Sequence, residues 1–118
     1  IHHIFPASHC EKEKLPREKW NSVINKTMIY ASTNRSIGGD APSKYIKALL
    51  NHKISQNDLE LAVASHQIDF NLLDSDDFDG FIIDRAKKLL NLIEKSTGKS
   101  TSGRGTKETI DAFGASLA

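Results

Sequence analysis

The chain has 118 residues, of which 16 are Lys or Arg and 15 are Asp or Glu, so its formal net charge is only +1. This length can bury one modest hydrophobic core but not two, and the charge balance excludes nucleic-acid binding through a large, uniformly positive surface. No apolar stretch approaches the roughly 18 to 20 residues of a membrane-spanning helix, and Cys10 alone cannot form an internal disulfide. We therefore expect one soluble, cytoplasmic domain.

The N-terminal part of the sequence predicts two short strands separated by a helical turn. Residues Ile1–Phe5 indicate a strand that ends at Pro6, because proline cannot donate to a strand ladder. Apolar residues at helical spacing predict a short helix within Leu15–Ile24. The β-compatible run Thr27–Ala31 is bounded by polar residues, so it predicts a second strand that could pair with the first.

The middle of the sequence predicts three helices. The loop Ser32–Asp40 ends in an aspartate that is suited to cap the helix beginning at the next residues. A second helix is expected to begin near Ser55 and to end near His66. The longest helix opens within Asp74–Asp79 and places its apolar residues on one stripe of period about 3.6, with Gly98 as its stop.

Two adjacent histidines, His2 and His3, lie in the first predicted strand. Successive strand side chains point to opposite faces, so the pair is not a simple two-ligand metal site, and we expect the two residues to have different jobs. Asn25 and Asn34 bracket the second predicted strand, and a hairpin would bring both back to the histidines. The sequence therefore predicts a compact cluster of these four residues, with a plain polar strand terminus as the alternative.

Three segments in this order resemble the ββα-metal, or HNH, nuclease motif. They are His2-His3-Ile4-Phe5-Pro6, Asn25-Lys26-Thr27-Met28-Ile29 and Thr33-Asn34-Arg35-Ser36. More narrowly, the runs HHIFP, INKTMIYASTNRSIGGDAPSKYI and DDFDGFIIDRAKKLL are similar to the HNH-like C-terminal domain of GmrSD-type restriction proteins, which recognise and cleave modified phage DNA. The resemblance covers Ile1 to about Ile93.

The resemblance implies a role for each residue of the cluster. In that family the second residue of an Asp-His or His-His pair is the general base, which implies that His3 is the base and His2 a metal ligand. Asn34 would be the second protein ligand, and Asn25 would hold the hairpin and orient the base through a hydrogen bond. The neighbouring Arg35 could clamp a phosphate.

The implied cofactor is a divalent metal ion, with Mg²⁺ as the first expectation. Because His2 stands where many relatives carry Asp, Mn²⁺ or another transition metal is an alternative. A neutral imidazole with a pKa near ~6.5 can take a proton from water at physiological pH. Two protein ligands would leave metal positions open for water, a phosphate oxygen and the leaving oxygen.

The sequence as a whole predicts an α+β fold, with a ββα-metal hairpin-helix motif packed on a small helical bundle. We expect an HNH-like nuclease domain over 1–98, divided into the ββα motif at 1–50 and helical support at 51–98, followed by a flexible basic tail at 99–118. Because the sequence begins at Ile1 without an initiator Met, we interpret it as a fragment of a longer protein.

The predicted function is that of a metal-dependent DNA endonuclease, acting on modified DNA in restriction or phage defence. Its expected partners are DNA and an upstream nucleotide-dependent domain, in the same chain or in a partner subunit, and no membrane. The alternative is a catalytically inactive ββα module that contacts an upstream domain or a partner. A small all-helical interaction domain with an accidental histidine pair would require both predicted strands to be wrong.

Several other patterns carry weaker signals. His9 and Cys10 lack a second pair of ligands at zinc spacing, and the acidic run Asp74–Asp79 fits a helix N-terminus better than a calcium loop. His52 and His66 are expected to be helix-end residues that make hydrogen bonds. The basic residues after Asp84 could track a DNA backbone or could form a solvated helix face, which is the reading we favour.

Overall fold

The computed structural model describes residues 2–28, 38–51 and 54–118, and the structural statements that follow concern these ranges. Within them the chain forms seven α-helices and one two-stranded antiparallel sheet, which confirms the α+β composition at a coarse level. None of the helices in these ranges is long and apolar enough to cross a membrane.

The sheet consists of β1 (His2–His3) and β2 (Lys26–Thr27). His2 lies opposite Thr27, and His3 lies opposite Lys26. The predicted pairing of the first and second strands is therefore confirmed, although β1 is shorter than predicted and β2 begins one residue earlier. Residues 29–31, the end of the predicted second strand, lie outside the described residues.

The segment between the strands is more helical than the sequence predicted. It contains α1 (Ala7–Lys12), α2 (Arg17–Trp20) and a 3₁₀ turn over Val23–Asn25. Helix α1 lies in a segment that we predicted to be a polar connection, and the predicted helix over Leu15–Ile24 is divided into two pieces. The division follows from Ser22, whose hydroxyl donates to the Lys19 carbonyl at 2.7 Å and so competes with helix propagation.

Helices α3 (Pro42–Asn51) and α4 (Gln56–Ser65) follow, and their N-termini are capped in different ways. Helix α4 is capped locally as predicted, because the Ser55 hydroxyl accepts a bond from the Asp58 amide. In α3 the first-turn amide of Ser43 donates to the Asp76 carboxylate at 2.8 Å. The carboxylate that accepts from the first turn of α3 thus belongs to Asp76, in the turn before the longest helix, whereas the sequence predicted Asp40 as the cap.

A short helix, α5 (Phe70–Asp74), precedes the long α6 (Phe78–Thr97). Sequence periodicity did not predict α5, whereas α6 begins and ends where expected. Asp77 caps α6 by accepting from the Gly80 amide, and Gly98 ends it in the left-handed conformation at φ 69°. Glycine suits that position because it has no Cβ to clash there.

The C-terminal segment packs onto α6 and contains α7 (Lys107–Phe113). The Arg104 guanidinium donates from Nε to the Leu117 carbonyl at 2.7 Å and from Nη1 to the Asn91 side chain at 2.9 Å. It also pairs with Glu94 at 3.2 Å, and Leu117 is buried. Residues 99–118 therefore make specific contacts with α6, whereas the sequence predicted a tail.

In the hydrophobic core, the segment that follows β1 packs against α6. Phe5 is fully buried and packs its ring against Phe78, with centroids 5.3 Å apart, and against Phe81 at 4.9 Å. The Tyr45 hydroxyl of α3 donates to the Ile4 carbonyl at 2.8 Å. The backbone that immediately follows His3 is thus held by residues of two helices, and this contact positions the candidate site.

Candidate active site

The candidate site is built on β1 and on the chain that immediately surrounds it. Directly opposite residues of an antiparallel pair share a face of the sheet, so His3 shares its face with Lys26 and His2 shares the other with Thr27. The structure therefore places the two histidines on different faces of the sheet. Both histidines are half-buried.

His3 is held by two neighbours from the end of α2. Its ring meets the Trp20 ring edge-on, with centroids 5.6 Å apart and planes at 63°. Its Nε2 lies 3.2 Å from the Asn21 Oδ1. An amide oxygen only accepts hydrogen bonds, so Nε2 is the donor in this contact, and in the neutral ring Nδ1 is then the nitrogen that can accept a proton. The sequence analysis did not single out Asn21, because an exposed Asn after a short helix is an ordinary turn residue.

Asn25 is fully buried, and its side chain ties three backbone groups together. Its Oδ1 accepts from the Phe5 amide at 2.8 Å, while its Nδ2 donates to the Phe5 carbonyl at 3.0 Å and to the Trp20 carbonyl at 2.8 Å. These bonds hold the chain just after β1 against the end of α2. The side chain of Asn25 thus bonds the backbone around His3 rather than the His3 ring.

Arg85 of α6 is a site-supporting residue that sequence reasoning missed. Its side chain is buried, with 5% of the residue exposed. Its Nη1 donates to three carbonyl oxygens that flank Asn25, those of Val23, Ile24 and Lys26. Burial lowers the pKa of the guanidinium from its ordinary value, yet arginine stays protonated in proteins. The only sequence signal was a charged residue on the apolar stripe of α6.

Arg85 also binds the end of α4, which brings His66 next to the hairpin. The Arg85 Nε donates to the His66 carbonyl at 3.2 Å, and the Nδ1 of His66 lies 2.7 Å from the Thr27 hydroxyl. His66 is the residue that follows α4, so the expectation of a helix-end histidine that makes a hydrogen bond is confirmed. We made the same prediction for His52, which lies outside the described residues.

A largely apolar cavity of about 580 Å³ opens beside the sheet. His3, Thr27 and His66 contribute the polar part of its lining. Apolar residues of α3, α4 and α5 supply most of the rest, including Ile46, Leu49, Leu59, Val63 and Leu73. The sheet therefore borders a concave surface that residues of α3, α4 and α5 line.

Two of the predicted site residues, Asn34 and Arg35, lie outside the described residues. His2 forms no side-chain hydrogen bond with another residue of the described ranges. Among residues 2–28, 38–51 and 54–118, no group of three His, Cys, Asp or Glu side chains could hold a metal ion. The predicted donor set, one imidazole nitrogen and one amide oxygen, is chemically suited to a divalent ion that keeps several waters.

The other candidate ligands have structural partners instead. Cys10 is buried with its thiol 3.5 Å from the Phe5 carbonyl, and burial raises the pKa of that thiol to about 11, with a smaller effect from Glu11. A protonated thiol is a poor zinc ligand. In the acidic run, Asp77 caps α6 and Asp76 binds Ser43, which explains these two carboxylates without calcium.

Comparison with known proteins assigns no family to the chain. No protein-family model matches it, and no solved structure matches it significantly. Over 49 residues it is 41% identical to an uncharacterized protein of Methanocaldococcus jannaschii. The match covers 42% of this chain and only 8% of that relative, so the chain spans a small part of the relative's length. The functional argument therefore depends on the residues of the site.

Proposed function

We propose that this chain is a metal-dependent DNA endonuclease domain of the ββα-metal type, with His3 as the general base. The observation that carries the proposal is the antiparallel pairing of His2–His3 with Lys26–Thr27, with Asn25 buried beside it. The order and spacing of these residues are those on which the resemblance to HNH nucleases depends. Modified DNA and a role in restriction or phage defence belong to the same proposal.

In the proposed reaction each described residue has a task that its contacts suit. His3 takes a proton from a water molecule at Nδ1 while Asn21 holds Nε2–H, which keeps the ring in one tautomer and orientation. Trp20 limits rotation of the imidazole by packing against its edge. Asn25 fixes the backbone that carries the base, so it is a positioning residue and not a proton carrier.

The proposed metal ion would be held by His2 and Asn34, with Mg²⁺ as the first choice and Mn²⁺ as the second. Such an ion would polarise the scissile phosphate and stabilise the negative charge that develops on the leaving oxygen. His2 sits on the sheet face opposite to that of His3, which separates ligand and base. Arg35 is proposed to bind a phosphate oxygen, and an upstream nucleotide-dependent domain or partner subunit to select the substrate.

The test is cleavage of supercoiled plasmid by the purified chain in Mg²⁺, in Mn²⁺ and in EDTA, with plain and hydroxymethylcytosine-containing DNA. We expect nicked and linear products that require metal and that disappear with His3→Ala. His9→Ala is the matched control, because His9 is also half-buried and lies on α1 away from the sheet. It should retain wild-type activity.

Two results would overturn the proposal. Equal cleavage by His3→Ala would mean that His3 is not the base or that the activity comes from a contaminant. A folded wild-type chain that cleaves neither DNA in any metal would favour the inactive binding module instead.

A further inference from the structure

Two cationic residues lie near His3, one through a shared ring contact and one through the strand register. The Arg17 guanidinium carbon lies 5.8 Å from the centroid of the Trp20 ring, within the range of a cation–π interaction. The same Trp20 ring meets His3 edge-on at 5.6 Å. Lys26 lies directly opposite His3 in the strand register and shares its face of the sheet.

Trp20 makes the first of these placements rigid. Trp20 is buried in the core, with 5% of the residue exposed, and its carbonyl accepts a hydrogen bond from Asn25 at 2.8 Å. Because His3 and Arg17 both pack on this one fixed ring, the guanidinium and the imidazole are no more than about 12 Å apart. That upper limit corresponds to at most about three nucleotide steps along the axis of a DNA strand, at about 3.4 Å of helix axis per phosphate.

Two of the basic residues after Asp84 are paired with carboxylates. Lys88 pairs with Asp84 at 2.8 Å, and Arg104 pairs with Glu94 while bonding the Leu117 carbonyl. In the described ranges these two are the ion pairs of the chain, and neither includes Arg17 or Lys26. The charges of Arg17 and Lys26 therefore have no carboxylate partner in these ranges, and they lie near His3, whereas the unpaired lysines after Asp84 belong to α6 and the C-terminal segment.

We infer that Arg17 and Lys26 bind phosphates of a DNA strand that passes His3. The strand then crosses α2 and the two-stranded sheet, and it does not follow the basic residues after Asp84. This inference rests on the proposed function, from which it takes DNA as the ligand. It adds a binding surface that the resemblance to nucleases does not specify. Neutralising a phosphate through Lys or Arg releases counterions, so each contact leaves a measurable salt dependence.

The test measures binding of a fluorescein-labelled DNA duplex by anisotropy, in EDTA so that no cleavage occurs, from 50 to 200 mM salt. Arg17→Gln and Lys26→Gln should each weaken binding at 50 mM by about fivefold and each reduce the slope of log K against log salt by about 0.9. The double variant with both Gln substitutions should reduce the slope by about twice that amount. Arg17→Lys should keep the wild-type slope, because it keeps the charge.

The matched control is the double variant of Lys99→Gln and Lys107→Gln, two exposed lysines of the C-terminal segment. This control removes two positive charges, as the Arg17 and Lys26 double variant does, and it should leave the slope of log K against log salt unchanged. Thermal melting of every variant checks that the fold is intact.

The inference is overturned if the control lowers the slope and the Arg17 and Lys26 variants do not. In that case cleavage by the wild-type chain would still support the proposed function. If the wild-type chain cleaves plasmid but none of the four substitutions to Gln alters binding, this surface is again excluded. If it neither binds nor cleaves DNA, the inference and the proposed function fail together.

Discussion

The Nη1 of Arg85 lies 2.6 Å from the carbonyl oxygen of Ile24, and this bond ties the longest helix to the turn that precedes β2. The other carbonyls that Arg85 binds belong to the first residue of the 3₁₀ turn, to the first residue of β2 and to the residue after α4. Carbonyls at helix ends have no partner within the helix and carry partial negative charge. A buried guanidinium therefore satisfies several of them at once without a carboxylate.

We expect Arg85→Met to lower the free energy of unfolding by about 2 to 4 kcal/mol, because several buried carbonyls lose their donors. Urea unfolding followed by circular dichroism measures this change. Lys87→Met, on the same helix but less buried, is the control and should change stability by less than about 0.5 kcal/mol. An Arg85→Met variant as stable as the control would mean that water replaces the guanidinium at these carbonyls.

Asn25→Ala should destabilise the fold by about 2 to 4 kcal/mol, since it removes three hydrogen bonds to backbone groups around a fully buried side chain. The measurement is the midpoint and slope of urea denaturation. Asn57→Ala, at an exposed position in the first turn of α4, is the matched control. A loss no larger than that of the control would contradict the role of Asn25 in holding β1.

Asn21→Ala should lower kcat for DNA cleavage by about tenfold and leave KM unchanged, because it frees the His3 ring without touching the substrate. His3→Ala should cost about 100-fold or more. Initial rates on a labelled duplex over a range of concentrations measure kcat and KM for both variants, with the exposed Asn71→Ala as control. A change confined to KM would indicate that Asn21 contacts DNA instead.

Cys10 should be unreactive toward iodoacetamide at pH 8 until the chain unfolds. Burial, with a smaller effect from Glu11, raises the pKa of its thiol to about 11, so the thiolate is scarce and shielded. Mass spectrometry of the alkylated chain, with and without urea, tests this expectation. Rapid labelling of the native chain would show that the α1 region opens readily.

The raised pKa of the Cys10 thiol predicts a loss of stability at alkaline pH. The folded-state pKa lies above the unfolded value near 9, so the stabilisation is complete below pH 9 and declines as pH rises toward 11. The slope contributed by one such group is at most about 1.4 kcal/mol per pH unit. Cys10→Ala should make the decline between pH 9 and 10 shallower by a measurable part of that slope.

Local sequence signals were sufficient to predict those helix ends and helices that depend on contacts between residues close in sequence. Ser55 caps α4 through an amide three residues away, and Gly98 stops α6 because only its own backbone conformation is involved. The 3.6-residue stripe identified α6 for the same reason. Helices α1 and α5 escaped prediction because each is less than two turns long and depends on packing against the core.

What the sequence by itself determined was the α+β composition, the pairing of the two strands, and the candidate pair His2 and His3 with Asn25. The tertiary structure decided how that site is held. Asn21 reaches His3, Arg85 reaches Ile24 and Asp76 reaches Ser43 across 18 to 61 residues of chain. A buried polar group is satisfied by whichever partner the packed helices bring within about 3 Å, and such a partner leaves no periodic mark in the sequence.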